Sequence, residues 1–168
     1  MGFADMIKRK KKWEGADHAV TIKAAVNGKV IPLDQIQDDV FSQGIMGPGC
    51  GIEPEDGRIC APVSGKVVYI ADTRHAIGLE TADGTEILIH IGIDTVNLKG
   101  EGFLNHVQAE SQVQPGQLLM EADLGKIREA GYLSTVVMLV TNLAPDRKLE
   151  LIGEENIRQG EAIMRIKP

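Results

Sequence analysis

Cysteine is nearly absent: Cys50 and Cys60 are the only two, and no Cys-x-x-Cys pair occurs. That excludes a disulfide framework and a zinc-finger spacing, and leaves two small buried thiols as the expectation. No apolar run approaches the ~20 residues that a membrane span requires. The apolar start is short and broken by Asp5, so no secretory signal is read there and a cytoplasmic location is expected. Basic residues are sparse once the first thirteen positions are passed. Those thirteen carry Lys8, Arg9, Lys10, Lys11 and Lys12 against Asp5, a balance of +4 within a total of −6, which leaves the remainder at −10. An acidic body excludes the basic footprint of a nucleic-acid binder. Aromatics are few as well, with one Trp, two Tyr and three Phe against nineteen Gly. Tight turns around an aliphatic core follow from that ratio, and they favour an all-β fold.

At 168 residues the chain is long enough for one well-buried domain. Two internal echoes organise it. The stretch 24-AAVNGKVIPL-33 returns as 61-APVSGKVVYI-70, and 113-VQPGQLLM-120 returns as 157-IRQGEAIM-164. Two copies are too few for a repeat array, so a pseudo-symmetric, barrel-like antiparallel β-sandwich is the better reading. Strands are expected over 19–25, 28–33, 58–61, 65–71, 75–81, 85–91, 113–120, 134–142 and 161–166. Very short helices are expected over 34–39 and 123–130, the second stopped by Gly131. The glycine-rich stretch 44-GIMGPGCG-51 lacks the ending of a phosphate loop and reads as a turn.

In 87-ILIHIGID-94 isoleucines occupy alternate positions, while His90, Gly92 and Asp94 fall on the other side. Reading Asp83-Gly84 as a two-residue hairpin turn pairs residues whose numbers sum to 167. His75 then opposes Gly92 and Ile77 opposes His90, which makes the two histidines diagonal neighbours, roughly 7–8 Å apart at the backbone. A slip of one residue would send His75 to the opposite face. Two adjacent imidazoles resist joint protonation, so at least one stays neutral and nucleophilic near neutral pH. Phosphoryl transfer, half of a tetrahedral zinc site, and nucleophilic or general-base hydrolysis all need such a pair. His18 and His106 lack a comparable context and are expected at the surface.

The motif 90-HIGIDTVNLKGEGF-103, together with 61-APVSGKV-67, 73-TRHA-76 and 160-GEAIMRIK-167, resembles the glucose-family enzyme IIA domain of the bacterial sugar phosphotransferase system. The resemblance spans about residues 19–168 and sets off 1–18 as a basic tail, expected to be flexible. It implies an antiparallel β-sandwich and a phosphocarrier function. His90 would accept a phosphoryl group from the carrier protein HPr through Nε2 and pass it to the enzyme IIB domain of a sugar permease. His75 would stabilise the group, Thr73 would orient His75, and Asp94 would line the site. Val40, Phe41, Ile45, Leu88, Gly92 and Val96 would form the docking rim. No thiol near the motif suits the last transfer, so that cysteine must belong to the partner. No cofactor is required, although zinc shared by His75, His90 and a partner carboxylate is a conditional expectation.

The sequence departs from the family at Pro48, Ala71, Leu88 and Asn97, which leaves its regulatory target proteins open. A short amphipathic helix over 2–13 would give weak contact with an anionic membrane surface. The rival readings are a purely regulatory binding module that has lost transfer, a zinc hydrolase and a lipoyl- or biotinyl-carrier domain. The hydrolase lacks a His-x-His pair, and the carrier lacks its modifiable lysine at a hairpin tip.

Overall fold

The computed structural model describes residues 19–168. The basic tail, and with it the amphipathic stretch 2–13, lies outside the described residues. The strands are β1 (Val20–Lys23), β2 (Gly28–Pro32), β3 (Gly49–Pro54), β4 (Arg58–Cys60), β5 (Gly65–Ile70), β6 (Ala76–Glu80) and β7 (Glu86–Ile91). They continue as β8 (Phe103–Asn105), β9 (Gln112–Val113), β10 (Leu118–Ala122), β11 (Val136–Val140), β12 (Leu149–Leu151), β13 (Asn156–Ile157) and β14 (Ala162–Ile166). Two short helices, α1 (Asp39–Ser42) and α2 (Leu124–Glu129), and two 3₁₀ turns (Leu33–Gln35 and Thr95–Leu98) complete the described fold.

An eight-stranded sheet runs in the order β13-β2-β3-β11-β7-β6-β5-β9, and the smaller sheets are β1-β14-β12 and β4-β10-β8. Ile87, Ile89 and Ile91 of β7, Ile77 and Leu79 of β6, and Val136 and Met138 of β11 share one core with Ile22, Ile59, Leu119 and Met164 of the smaller sheets. Each such side chain contributes about 1.5–3 kcal/mol by leaving water. Alternation sends Ala76, Leu88, Val137 and Leu139 to the outer face of the large sheet, into a second cluster with Ile36, Phe41, Tyr69, Ala71 and Ile93. The segment carrying the first 3₁₀ turn and α1 folds over that face. The large sheet is therefore apolar on both sides, and the histidines belong to the outer one.

The echoes are structural equivalents. β2 pairs with β13 as β5 pairs with β9, setting Gly28 opposite Ile157 and Gly65 opposite Val113. Gly160 N–H donates to Ala24 C=O at 3.1 Å, and Gly116 N–H donates to Ala61 C=O at 2.9 Å. The expected pseudo-symmetric sandwich is thus present down to individual hydrogen bonds.

Several local expectations fail for identifiable reasons. The stretch 44–51 is not only a turn, because β3 starts at Gly49 in the middle of the large sheet. A Cβ on Gly49 would lie 1.9 Å from the Met138 carbonyl oxygen, and one on Gly51 would lie 3.2 Å from Ile36. Glycine here admits close packing rather than a bend. The helix expected over 34–39 is replaced by the 3₁₀ turn and by α1, which begins where it was expected to end. The strand expected over 113–120 is two strands in different sheets, divided at Gly116 with φ 88°. Strands β8, β12 and β13, at two or three residues, are too short to show a period.

Candidate functional site

His90 lies on β7 between Ala76 of β6 and Val137 of β11. Both neighbours are small or aliphatic and buried, so the ring rises from a dry floor. Its Nδ1 lies 2.8 Å from the Gly92 carbonyl oxygen. A carbonyl can only accept, so Nδ1 carries the proton and Nε2 keeps the lone pair. Gly92 makes this bond possible. With φ 78°, it turns the chain back on the ring in a left-handed conformation that a side chain would strain.

His75 meets His90 edge to face, with ring centroids 5.0 Å apart and an interplanar angle of 78°. Thr73 Oγ1 lies 2.6 Å from His75 Nδ1. With the hydroxyl donating, His75 Nδ1 accepts and Nε2–H remains free to donate. One ring thus presents a lone pair and its neighbour an N–H. Phe41 closes the other side, its ring 5.0 Å from that of His90 at 61°.

The histidines meet, but in a different register from the expected one. Ala76 opposes His90 and Glu80 opposes Glu86, so paired numbers sum to 166. The hairpin loop has three residues: Thr81 N–H donates to Thr85 C=O, and Gly84 closes the loop at φ 90°. This is the type I turn with a left-handed third residue, and it contains Asp-Gly just as the two-residue turn does. The Asp83 carboxylate accepts from the hydroxyls of both Thr81 and Thr85 and from Thr85 N–H, which fixes the longer loop. Ile77 therefore faces the core and not the site. His75 reaches the site because β6 begins only at Ala76, after Arg74 in a left-handed conformation at φ 59°. That turn releases His75 from strand alternation, while its carbonyl still accepts from Ile91 N–H at 2.7 Å.

Burial holds the His90 pKa down at about 4, helped by the neighbouring His75 and opposed by the Gly92 hydrogen bond and by Asp38. Burial lowers the His75 pKa too. Both rings are therefore neutral at physiological pH. Asp38 was not among the candidate residues. It caps α1, its Oδ1 accepting from Val40 N–H at 3.0 Å and Phe41 N–H at 3.2 Å. An Asp one residue ahead of an apolar pair, here Asp38 with Asp39 between it and Val40-Phe41, is an N-cap signal, obscured by the helix expected over 34–39. Asp94, chosen as the carboxylate of the site, is exposed and left-handed at φ 61°.

Of the rim residues, Val40, Ile45 and Val96 are exposed, at 45, 69 and 48%. Phe41 is mostly buried against His90, and Gly92 is buried in its turn. Leu88 is corrected: at 0% exposure it supports the floor beneath the rings and cannot touch a partner. Cys50 and Cys60 are buried as expected, and burial pushes the Cys50 thiol up to about 12. His106, expected at the surface, is exposed and pairs with Glu121 at 2.7 Å.

Among the described residues no group of three or more His, Cys, Asp or Glu side chains could hold a metal ion. His75 and His90 supply two nitrogens, half of a tetrahedral set, so a metal here needs ligands from elsewhere. Among the described residues no helix is long and apolar enough to cross a membrane.

Comparison with known proteins agrees with this geometry. The family described as "phosphoenolpyruvate-dependent sugar phosphotransferase system, EIIA 1" matches residues 20–145. A glucose-specific EIIA component of Halalkalibacterium halodurans is 38% identical over 136 residues, covering 81% of this chain and 79% of that protein. A glucose-specific EIICBA component of Staphylococcus saprophyticus is 44% identical over 147 residues; the match covers 88% of this chain but only 22% of that longer protein. The solved glucose permease IIA from Mycoplasma capricolum superposes with a TM-score of 0.81 at 34% identity, covering 88% of this chain and 96% of that one. The chain belongs to the enzyme IIA family of the phosphoenolpyruvate-dependent sugar phosphotransferase system.

Proposed function

We propose that His90 Nε2 is the phosphoryl acceptor, taking its group from phosphohistidine on HPr and yielding it to the enzyme IIB domain of a glucose-type permease. The observation carrying this reading is the bond from His90 Nδ1–H to the Gly92 carbonyl, which leaves an unprotonated Nε2 beside His75. The Nε2 lone pair attacks phosphorus as the donor's N–P bond breaks, and the departing imidazole keeps the electron pair. Positive charge then develops on the His90 ring, and the Gly92 carbonyl oxygen offsets it across Nδ1–H. The moving group is nearly a dianion with strong acceptor oxygens. His75 Nε2–H donates to one of them, held in line by the Thr73 hydroxyl.

The exposed Val40, Ile45 and Val96 provide an apolar rim that both partners would dock on in turn. Transfer onward passes to a nucleophile on the permease, since neither thiol of this chain lies on the outer face. Other proteins could read the phosphorylation state at the same rim, and zinc would be held by the His75 and His90 imidazoles only with a partner's ligands.

The test is incubation with phosphoenolpyruvate, enzyme I and HPr, followed by location of acid-labile phosphate. His90→Ala should take up none, while His75→Gln should still accept phosphate but deliver it poorly. Label retained in His90→Ala overturns the assignment of His90. Normal delivery by His75→Gln refutes the role given to His75.

A further inference from the structure

The chain reverses directly after His90, and Gly92 is the pivot. Both peptide units flanking it are held. In the unit that follows, Gly92 C=O accepts from His90 Nδ1–H, and Ile93 N–H donates to Leu133 C=O at 2.9 Å. In the unit that precedes it, Gly92 N–H donates to Thr135 C=O at 2.8 Å, while Ile91 C=O accepts from Thr95 Oγ1–H at 2.5 Å. Three of these four anchors use the histidine ring or backbone carbonyls of the segment that leads into β11. The fourth is a single side chain. Thr95 is fully buried at the start of the second 3₁₀ turn. Its Cγ2 lies where a Cβ on Gly92 would stand, 2.4 Å from that position. One side chain therefore closes the turn with its hydroxyl and fills the space above the glycine with its methyl.

We infer that Thr95 is a positioning residue for the reaction: its hydroxyl locks the 91–95 turn so that the Gly92 carbonyl stays on His90 Nδ1 and the lone pair stays on Nε2. The inference rests on the proposed role of His90 as acceptor. Without the hydroxyl, the buried Ile91 carbonyl loses its partner, and a buried acceptor without a donor drives the peptide to reorient. The Gly92 carbonyl moves with it, and the His90 ring is free to take the other tautomer. That form carries its proton on Nε2 and cannot attack phosphorus.

The test compares Thr95→Val, which keeps the methyl and replaces the hydroxyl with a second one, with Thr95→Ser, which keeps the hydroxyl and loses the methyl. ¹⁵N NMR of the histidine rings reads the tautomer without any phosphoryl donor. Thr95→Val should populate the Nε2–H form of His90 and slow labelling by phospho-HPr by about 10- to 100-fold, the scale of a misplaced reacting group. Thr95→Ser should restore both. A wild-type tautomer and rate in Thr95→Val overturn the inference, as does Thr95→Ser behaving like Thr95→Val, since packing alone would then be responsible. Should Thr95→Val fail to fold, the wild-type protein decides. The Thr95 hydroxyl proton should exchange slowly and couple to the Ile91 carbonyl, and the absence of both overturns the inference. Failure of the acceptor assignment looks different, because wild type would then take no label on His90 whatever its tautomer.

Discussion

The depressed basicity of His90 gives the sharpest quantitative test. Its ring is surrounded by Ala76, Val137 and Phe41 and faces a second imidazole, so the folded chain resists adding a proton there until about pH 4, against an ordinary value of 6.5. The unfolded chain has no such resistance. Above pH 6.5 neither state is protonated at this position, and the histidine adds no pH dependence. As pH falls below 6.5 the unfolded state binds the proton first, so stability declines until the folded ring also titrates near pH 4. At pH 5 the linked loss is about 2 kcal/mol, and in full it is about 3 kcal/mol, at 1.36 kcal/mol for each unit of separation. Urea denaturation of wild type and His90→Gln at pH 7.5 and pH 5 isolates the effect, because the remaining carboxylates and histidines titrate in both proteins. Wild type should lose about 2 kcal/mol more than the variant between the two conditions. The His90 ring should also titrate near pH 4 by NMR, and its labelling by phospho-HPr should not fall as the ring passes pH 6.5. Equal losses in the two proteins, or a titration midpoint near 6.5, would refute the account of the site as a dry hollow that keeps its nucleophile unprotonated.

Two further outcomes separate support from docking and geometry from fold. Leu88→Ala should cost about 2–5 kcal/mol in unfolding free energy, whereas Val96→Ser should stay within about 0.5 kcal/mol and instead slow transfer with both partners; the opposite pattern in melts and transfer rates would reverse the roles of floor and rim. Gly92→Ala places a Cβ 2.4 Å from Thr95 Cγ2 at φ 78°, so it should destabilise by more than about 1 kcal/mol and lose His90 labelling out of proportion to its melting temperature; full labelling in a stable variant would show that the turn does not govern the ring.

What could be read from sequence follows from how local each signal is. The isoleucine alternation of 87–91 and the A-x-V-x-G-K-V echo are set by burial with a period of two, and both survive in the structure as core face and pseudo-symmetry. The register of β6 on β7 was not legible, because Asp-Gly serves two loop lengths. The choice between them depends on Thr81 and Thr85 bonding the Asp83 side chain, a contact among three residues that no periodicity reveals. The histidine pair was found all the same, since the left-handed Arg74 compensates for the slipped register. Leu88 was misplaced for a related reason. Alternation correctly puts it on the His90 face, but cannot tell that the excursion through Ile36 and Phe41 covers that part of the face. Glycines 49 and 51 read as a bend because a glycine that admits a crossing chain and one that permits a turn look alike in sequence.

The first and last strands, β1 and β14, lie side by side, with Val20 opposite Ile166, in a sheet separated from the histidines by the entire main core. A tether attached near either strand would grip the domain from behind. The histidine face would then point away from the tether, open to one visitor after another, whether the domain moves alone or hangs from a longer polypeptide.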